Sequence, residues 1–160
     1  MSGDRVSKVL AGPVCIRGIQ VGEPLDVFFD SDLRCAIGLE VLCRDRIHRF
    51  LPWAVAKSGP DGLSISFLLA LLDGPQLEYY REHALTLSLL RRLPFESSEG
   101  RFGVEDVVAG GGGRILALLV EHADRQLWIE RQDLVLEPDR LLHVNGRRRH
   151  AEERVAGGAA

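Results

Sequence analysis

The chain has 160 residues, 46% of them apolar and 27% charged, the composition of a globular protein of one ordinary domain or two small ones. Twenty basic residues, 18 of them Arg, stand against 23 acidic ones and leave a net charge of −3, so no global field draws in nucleic acid or an anionic membrane. These figures exclude a fibrous repeat, a basic DNA-binding domain and wholesale disorder.

With 25 Leu and 14 Val against 6 Phe, 2 Trp and 2 Tyr, the expected core is aliphatic. The start, Met1 to Lys8, is polar and charged, with no apolar stretch of the kind a secretory signal carries. The apolar run Phe67 to Leu72 is far shorter than the roughly 20 residues of a spanning helix. Cys15, Cys35 and Cys43 are an odd number without a CxxC pair, which reads as buried thiols on strands of a cytoplasmic protein.

In chain order, Val14 to Ile19 alternates between Gly12-Pro13 and Gly22, and Leu25 to Phe29 follows before a polar turn at Asp30-Ser31-Asp32. Cys35 to Cys43 places Ile37, Leu39, Val41 and Cys43 on one face. After Arg44-Asp45-Arg46, Ile47 to Trp53 returns as a strand, and Leu63 to Phe67 alternates after Pro60-Asp61-Gly62. Asp73 reads as a helix N-cap with Pro75 in the first turn, and Leu77, Tyr80 and Ala84 share a face, which predicts a helix over 75–84. A second strand block follows: Arg92 to Phe95, Phe102 to Val108, Ile115 to Val120, Leu127 to Ile129, Leu134 to Leu136 and Leu141 to Val144. Beyond Asn145 the Arg-rich, Gly-Gly-Ala-Ala end predicts a solvated tail.

The two blocks repeat. Asp26-Val27-Phe28, a turn and Ile37 to Val41 match Asp106-Val107-Val108, a turn and Leu116 to Val120, at offsets of 79–80 that drift to about 77 at Phe50-Leu51-Pro52-Trp53 against Leu127 to Glu130. Each half resembles the PRC-barrel domain in Gly22, Asp26-Val27, Gly38 to Val41 and Arg49 to Trp53, and again in Gly103 to Val108, Gly113, Leu116 to Val120 and Leu127 to Ile129. The second copy has Glu130 where the first has Pro52. The resemblance implies a mainly β fold of two small PRC-barrel-like units, residues 8–72 and 92–144, joined by a helical connector at 73–91 and followed by a disordered tail at 145–160. It also implies a docking platform rather than a catalyst.

The motifs that could carry chemistry have simpler readings. Gly110 to Gly113 lacks the Gly-Lys-Ser/Thr ending of a phosphate loop and supplies a hairpin turn. Asp30-Ser31-Asp32 has Cys35 and Val41 where a calcium loop needs Gly and Glu. Five single histidines form no catalytic motif. Asp26 and Asp106, at matching places in the copies, could form an acid/base pair but are better read as acceptors of backbone N–H groups.

No enzyme activity, cofactor or metal is therefore expected. The expectation is a cytoplasmic protein-interaction module whose partner surface is Arg44, Arg46, Arg49, Phe50 and Trp53. An RNA- or ribosome-associated assembly factor is the second reading, and a small-ligand-binding barrel the third. A homo-oligomer is compatible with all three, and a membrane partner with none.

Overall fold

In a computed structural model the fold is mainly β, two curled sheets with few helices, and it is described over residues 3–143 and the backbone of 149–150. The expected disordered tail at 145–160 lies, apart from that backbone, outside the described residues. The elements run β1 (Asp4–Arg5), α1 (Val6–Ala11), β2 (Val14–Ile16), β3 (Ile19–Phe29), β4 (Ala36–Cys43), β5 (His48–Pro52), β6 (Lys57–Gly59), β7 (Gly62–Ser64) and α2 (Pro75–His83). They continue with β8 (Leu85–Thr86), α3 (Leu87–Arg92), β9 (Pro94–Ser97), β10 (Gly100–Ala109), β11 (Ile115–His122), β12 (Arg125–Glu130), β13 (Leu134–Glu137), β14 (Arg140–His143) and β15 (Arg149–His150). No helix among the described residues is long and apolar enough to cross a membrane.

The repeat extends through the whole architecture. The first sheet runs β5-β4-β3-β2-β7-β6 and the second β13-β14-β9-β10-β11-β12-β15, so in each the chain returns after the antiparallel meander to lie beside its first strand through one parallel pair. Val14 pairs with Leu63 in one sheet and Phe95 with Leu141 in the other. Both long hairpins slip register at the same place, between Pro24 and Asp26 and between Val104 and Asp106. A bulge there bends the strand and curls the sheet.

The opening segment of each repeat belongs to the other repeat's sheet. β1 pairs with β10 of the second sheet, and β8 with β3 of the first. α1 and α3, which follow these strands, therefore sit in the seam between the sheets. Each is tied by the aspartate of the sheet it crosses. The Ser7 N–H and Oγ–H both donate to Asp106, the N–H at 3.1 Å, while the Ser88 N–H donates to Asp26 at 3.3 Å. The same carboxylates accept the N–H of Val107 at 2.8 Å and of Val27 at 2.9 Å. The backbone-acceptor reading of Asp26 and Asp106 thus describes their contacts, and the segments they hold interlock the repeats.

The interior is one continuous apolar cluster reaching from Val6 and Val27 through Leu39 and Leu90 to Leu118 and Leu141, with Phe29 and Phe95 among the aliphatics. A second, aromatic cluster lies on the outer face of the first sheet, where α2 lays Leu77 and Tyr80 over Phe28 and Phe50, and the Tyr80 and Phe50 rings stack at 4.4 Å. Gly38 permits this, because a Cβ there would stand 2.4 Å from the Phe50 ring.

Several local expectations need correction. The α2 cap is Gly74, at φ 63°, rather than Asp73. α1 was not foreseen, and α3, which falls in the expected helical connector, is a separate helix beyond β8. The Thr86 hydroxyl caps α3 by accepting the Leu89 N–H at 3.0 Å, and α3 takes up Arg92, where a strand was expected to begin. Of the three thiols only Cys43 is buried, while Cys15 is partly covered and Cys35 exposed before β4.

Candidate functional site

The five residues expected to form a partner surface do not lie together on one surface. Arg44 and Arg46 are exposed at the β4–β5 turn, with Arg46 at φ 66°. Arg49 is engaged by Asp45 at 2.8 Å, and that guanidinium, helped by the Ile47 N–H, holds the Asp45 carboxyl below its ordinary range. Phe50, 3% exposed, belongs to the aromatic cluster under α2. Trp53 leaves the strand at the opposite end and turns into the seam, where it packs against the main core. The most exposed apolar stretch is elsewhere, at Phe67, Leu68 and Leu69, the last 84% exposed.

Around Trp53 the seam is hollow. A cavity of about 230 Å³ is walled by Val9 of α1, Leu39 of β4, Trp53, Ala56, Leu63 of β7 and Ala109 of β10. Its polar edge is the exposed Asp4, Ser58 of β6 and Gly110 to Gly112. It shares Asp4, Val9 and Ser58 with an adjoining cleft of about 570 Å³ that runs past Lys8, Gly12 and the β6–β7 turn. The two make one elongated groove along the seam, with no arginine among the described residues of its walls.

The glycine turn makes this possible. Gly110 to Gly113 closes the β10–β11 hairpin through the Gly110 N–H to Arg114 carbonyl bond at 2.7 Å. A Cβ on Gly111 or Gly112 would meet nothing within 4 Å, so their backbone faces open space. At Gly113 the situation reverses: φ is 81°, and a Cβ would lie 2.7 Å from the Ala36 carbonyl and 2.9 Å from the Trp53 ring. Only glycine lets the indole lie there.

β6 forms one flank of the groove and is an outer strand of its sheet. Leu63 donates its N–H to the Pro13 carbonyl at 2.8 Å, away from its partner Ser58. Ser58 and Leu63 are therefore a non-hydrogen-bonded pair, and the Ser58 N–H and C=O point outward along the groove.

Sequence reasoning had selected Trp53 but missed Asp4, Val9, Ala56, Ser58 and Ala109. The repeat alignment, carried to its ends, marks three of them as small residues facing large ones: Ala56 faces Leu134, Ser58 faces Leu136 and Ala109 faces Phe29. Compared with known proteins, the sequence matches no family model and no curated protein.

Proposed function

We propose that the protein is a non-enzymatic docking module of PRC-barrel type, and that the seam groove beside Trp53 receives an extended segment of a protein partner. The observation that carries this reading is the hollow itself, a built cavity at a place that the repeat fills elsewhere. The hollow, about 230 Å³, is only the end of a longer groove that continues into the cleft of about 570 Å³, and by itself it suits one anchoring side chain. The elongated cleft beyond it, flanked by the outward N–H and C=O of Ser58, suits an extended backbone, which adds to an open strand through main-chain hydrogen bonds. Among the described residues the walls carry no arginine and a single lysine, Lys8, which favours a protein segment over RNA, whose phosphates call for several basic contacts.

The test is panning of a phage-displayed dodecapeptide library on the wild-type protein and on an Ala56→Leu, Ser58→Leu variant whose groove is filled. Sequences enriched by the wild type and lost with the filled variant are the expected result. Enrichment indifferent to the filling, or no enrichment at all, would overturn the reading.

A further inference from the structure

The repeat supplies an internal template for what the groove binds. On the opposite side of the seam, the place of Trp53 at the end of the closing strand is taken by Arg131, at the same position of its short helical turn. Its guanidinium reaches across to the loop that corresponds to the glycine turn, donating to the carbonyls of Leu33 at 2.6 Å and Asp32 at 2.5 Å, and to that of Leu134, at the start of β13, at 3.3 Å. An Arg side chain thus closes that side of the seam through three backbone carbonyls.

On the Trp53 side the corresponding carbonyls are those of Gly113, Gly112 and Ala56, and among the described residues no side chain donates to them. Gly112 and Ala56 line the cavity, and so does Asp4, whose carboxylate has no ion pair or side-chain hydrogen bond among the described residues. Asp4 takes the position of Leu85 in the other copy, since Asp4 pairs with Ala109 as Leu85 pairs with Phe29. An acidic group has therefore replaced an apolar one at the mouth of the hollow. Among the described residues it is the only charged one lining the cavity, Lys8 and Asp61 lying along the adjoining cleft.

We infer that the anchoring side chain of the docked segment is an arginine. Its methylenes lie along Val9, Leu63 and the Trp53 ring, and its guanidinium is shared between the Asp4 carboxylate and the Gly112 and Ala56 carbonyls. The chemistry fits each wall. A long basic side chain buries an apolar stem while its head stays paired, an indole face attracts a guanidinium, and a planar fork of donors suits several acceptors at once. This inference rests on the docking reading and names the partner's chemistry.

The probes are acetylated, amidated pentapeptides Gly-Ser-X-Ser-Gly in which X is arginine, citrulline or leucine. They are titrated into ¹⁵N-labelled protein while the Trp53 indole N–H and the Gly111 and Gly112 amides are followed. The arginine peptide is expected to shift these signals with at least five-fold tighter binding than citrulline, its neutral isostere, and Asp4→Asn to erase that difference. Leucine or citrulline binding as tightly as arginine, or Asp4→Asn leaving the preference intact, would overturn the arginine inference and leave docking standing. Seam signals that no peptide moves, together with empty panning, would overturn both.

Discussion

The two sides of the seam share a backbone and differ in side chains. Leu33 and Gly113 occupy the same turn position and both adopt a left-handed conformation, at φ 53° and 81°. Leu33 accepts a conformation that costs a branched side chain free energy and in return plugs the interior at 1% exposure. Gly113 adopts it freely and leaves room for an indole. Around these positions Phe29, Leu90 and Leu134 are buried on the Arg131 side, where the Trp53 side has Ala109, Val9 and Ala56. One scaffold thus makes a closed seam from large residues and an open one from small residues. The asymmetry lies in side-chain volume, which a duplicated fold can alter without disturbing its hydrogen-bonded frame.

Copying the open side onto the closed one should have the largest effect. Phe29→Ala, which installs the residue of position 109, is expected to cost about 3–5 kcal/mol, the range for a buried ring removed from a packed core. Urea unfolding measures it, and a loss under 1 kcal/mol would mean that the closed side is not packed as described. The aspartates come next. Asp106 is 2% exposed and holds three donors, whereas Asp26 is more accessible and holds two. Asp106→Ala should therefore cost about 3 kcal/mol and Asp26→Ala about 1, because unsatisfied buried donors carry the greater penalty. Equal losses would remove the distinction.

Filling the open side should act in the opposite direction and more weakly. Ala56→Leu with Ser58→Leu adds apolar volume to the hollow, and a gain of up to about 1 kcal/mol is expected from cavity filling. A lower Tm would show that the space cannot take these side chains. The smallest effect concerns pH at the turn once expected to face a partner. Arg49 holds the Asp45 carboxyl below its unfolded value, so its contribution is present above the ordinary carboxylate range and fades as pH falls through the lowered folded value. Asp45→Asn should leave stability at pH 7 slightly reduced and flatten the acid limb of the urea midpoint. Because the pair is exposed, solvent screening keeps the change small.

Much of the fold was readable along the chain. The alternation in Cys35 to Cys43 and Ile115 to Val120 marked β4 and β11, the four glycines marked their turn, and Pro75 with Leu77 and Tyr80 marked α2. α1 escaped, and α3 was not separated from the rest of the helical connector, because each is only six residues long. Two turns are too short to display a periodic face, and their stability comes from the seam into which they pack. Phe50 was misplaced for a related reason. Strand alternation tells that a ring points away from its neighbours' face, and α2 decides that this outer face is covered.

The site was less legible than the fold. Trp53 was identifiable as a large ring at the end of a closing strand, but Asp4 and Ala109 lie far apart in the chain and meet only because β1 crosses to β10. By itself the sequence determined the strands, their turns and the duplication, since those depend on local alternation, glycine placement and a repeated pattern. Only the tertiary structure decided that the copies interlock through their first segments, that Arg131 closes one side of the seam and that Trp53 borders a hollow on the other. Those outcomes depend on the volume left between residues from both repeats, which exists only after the sheets have packed.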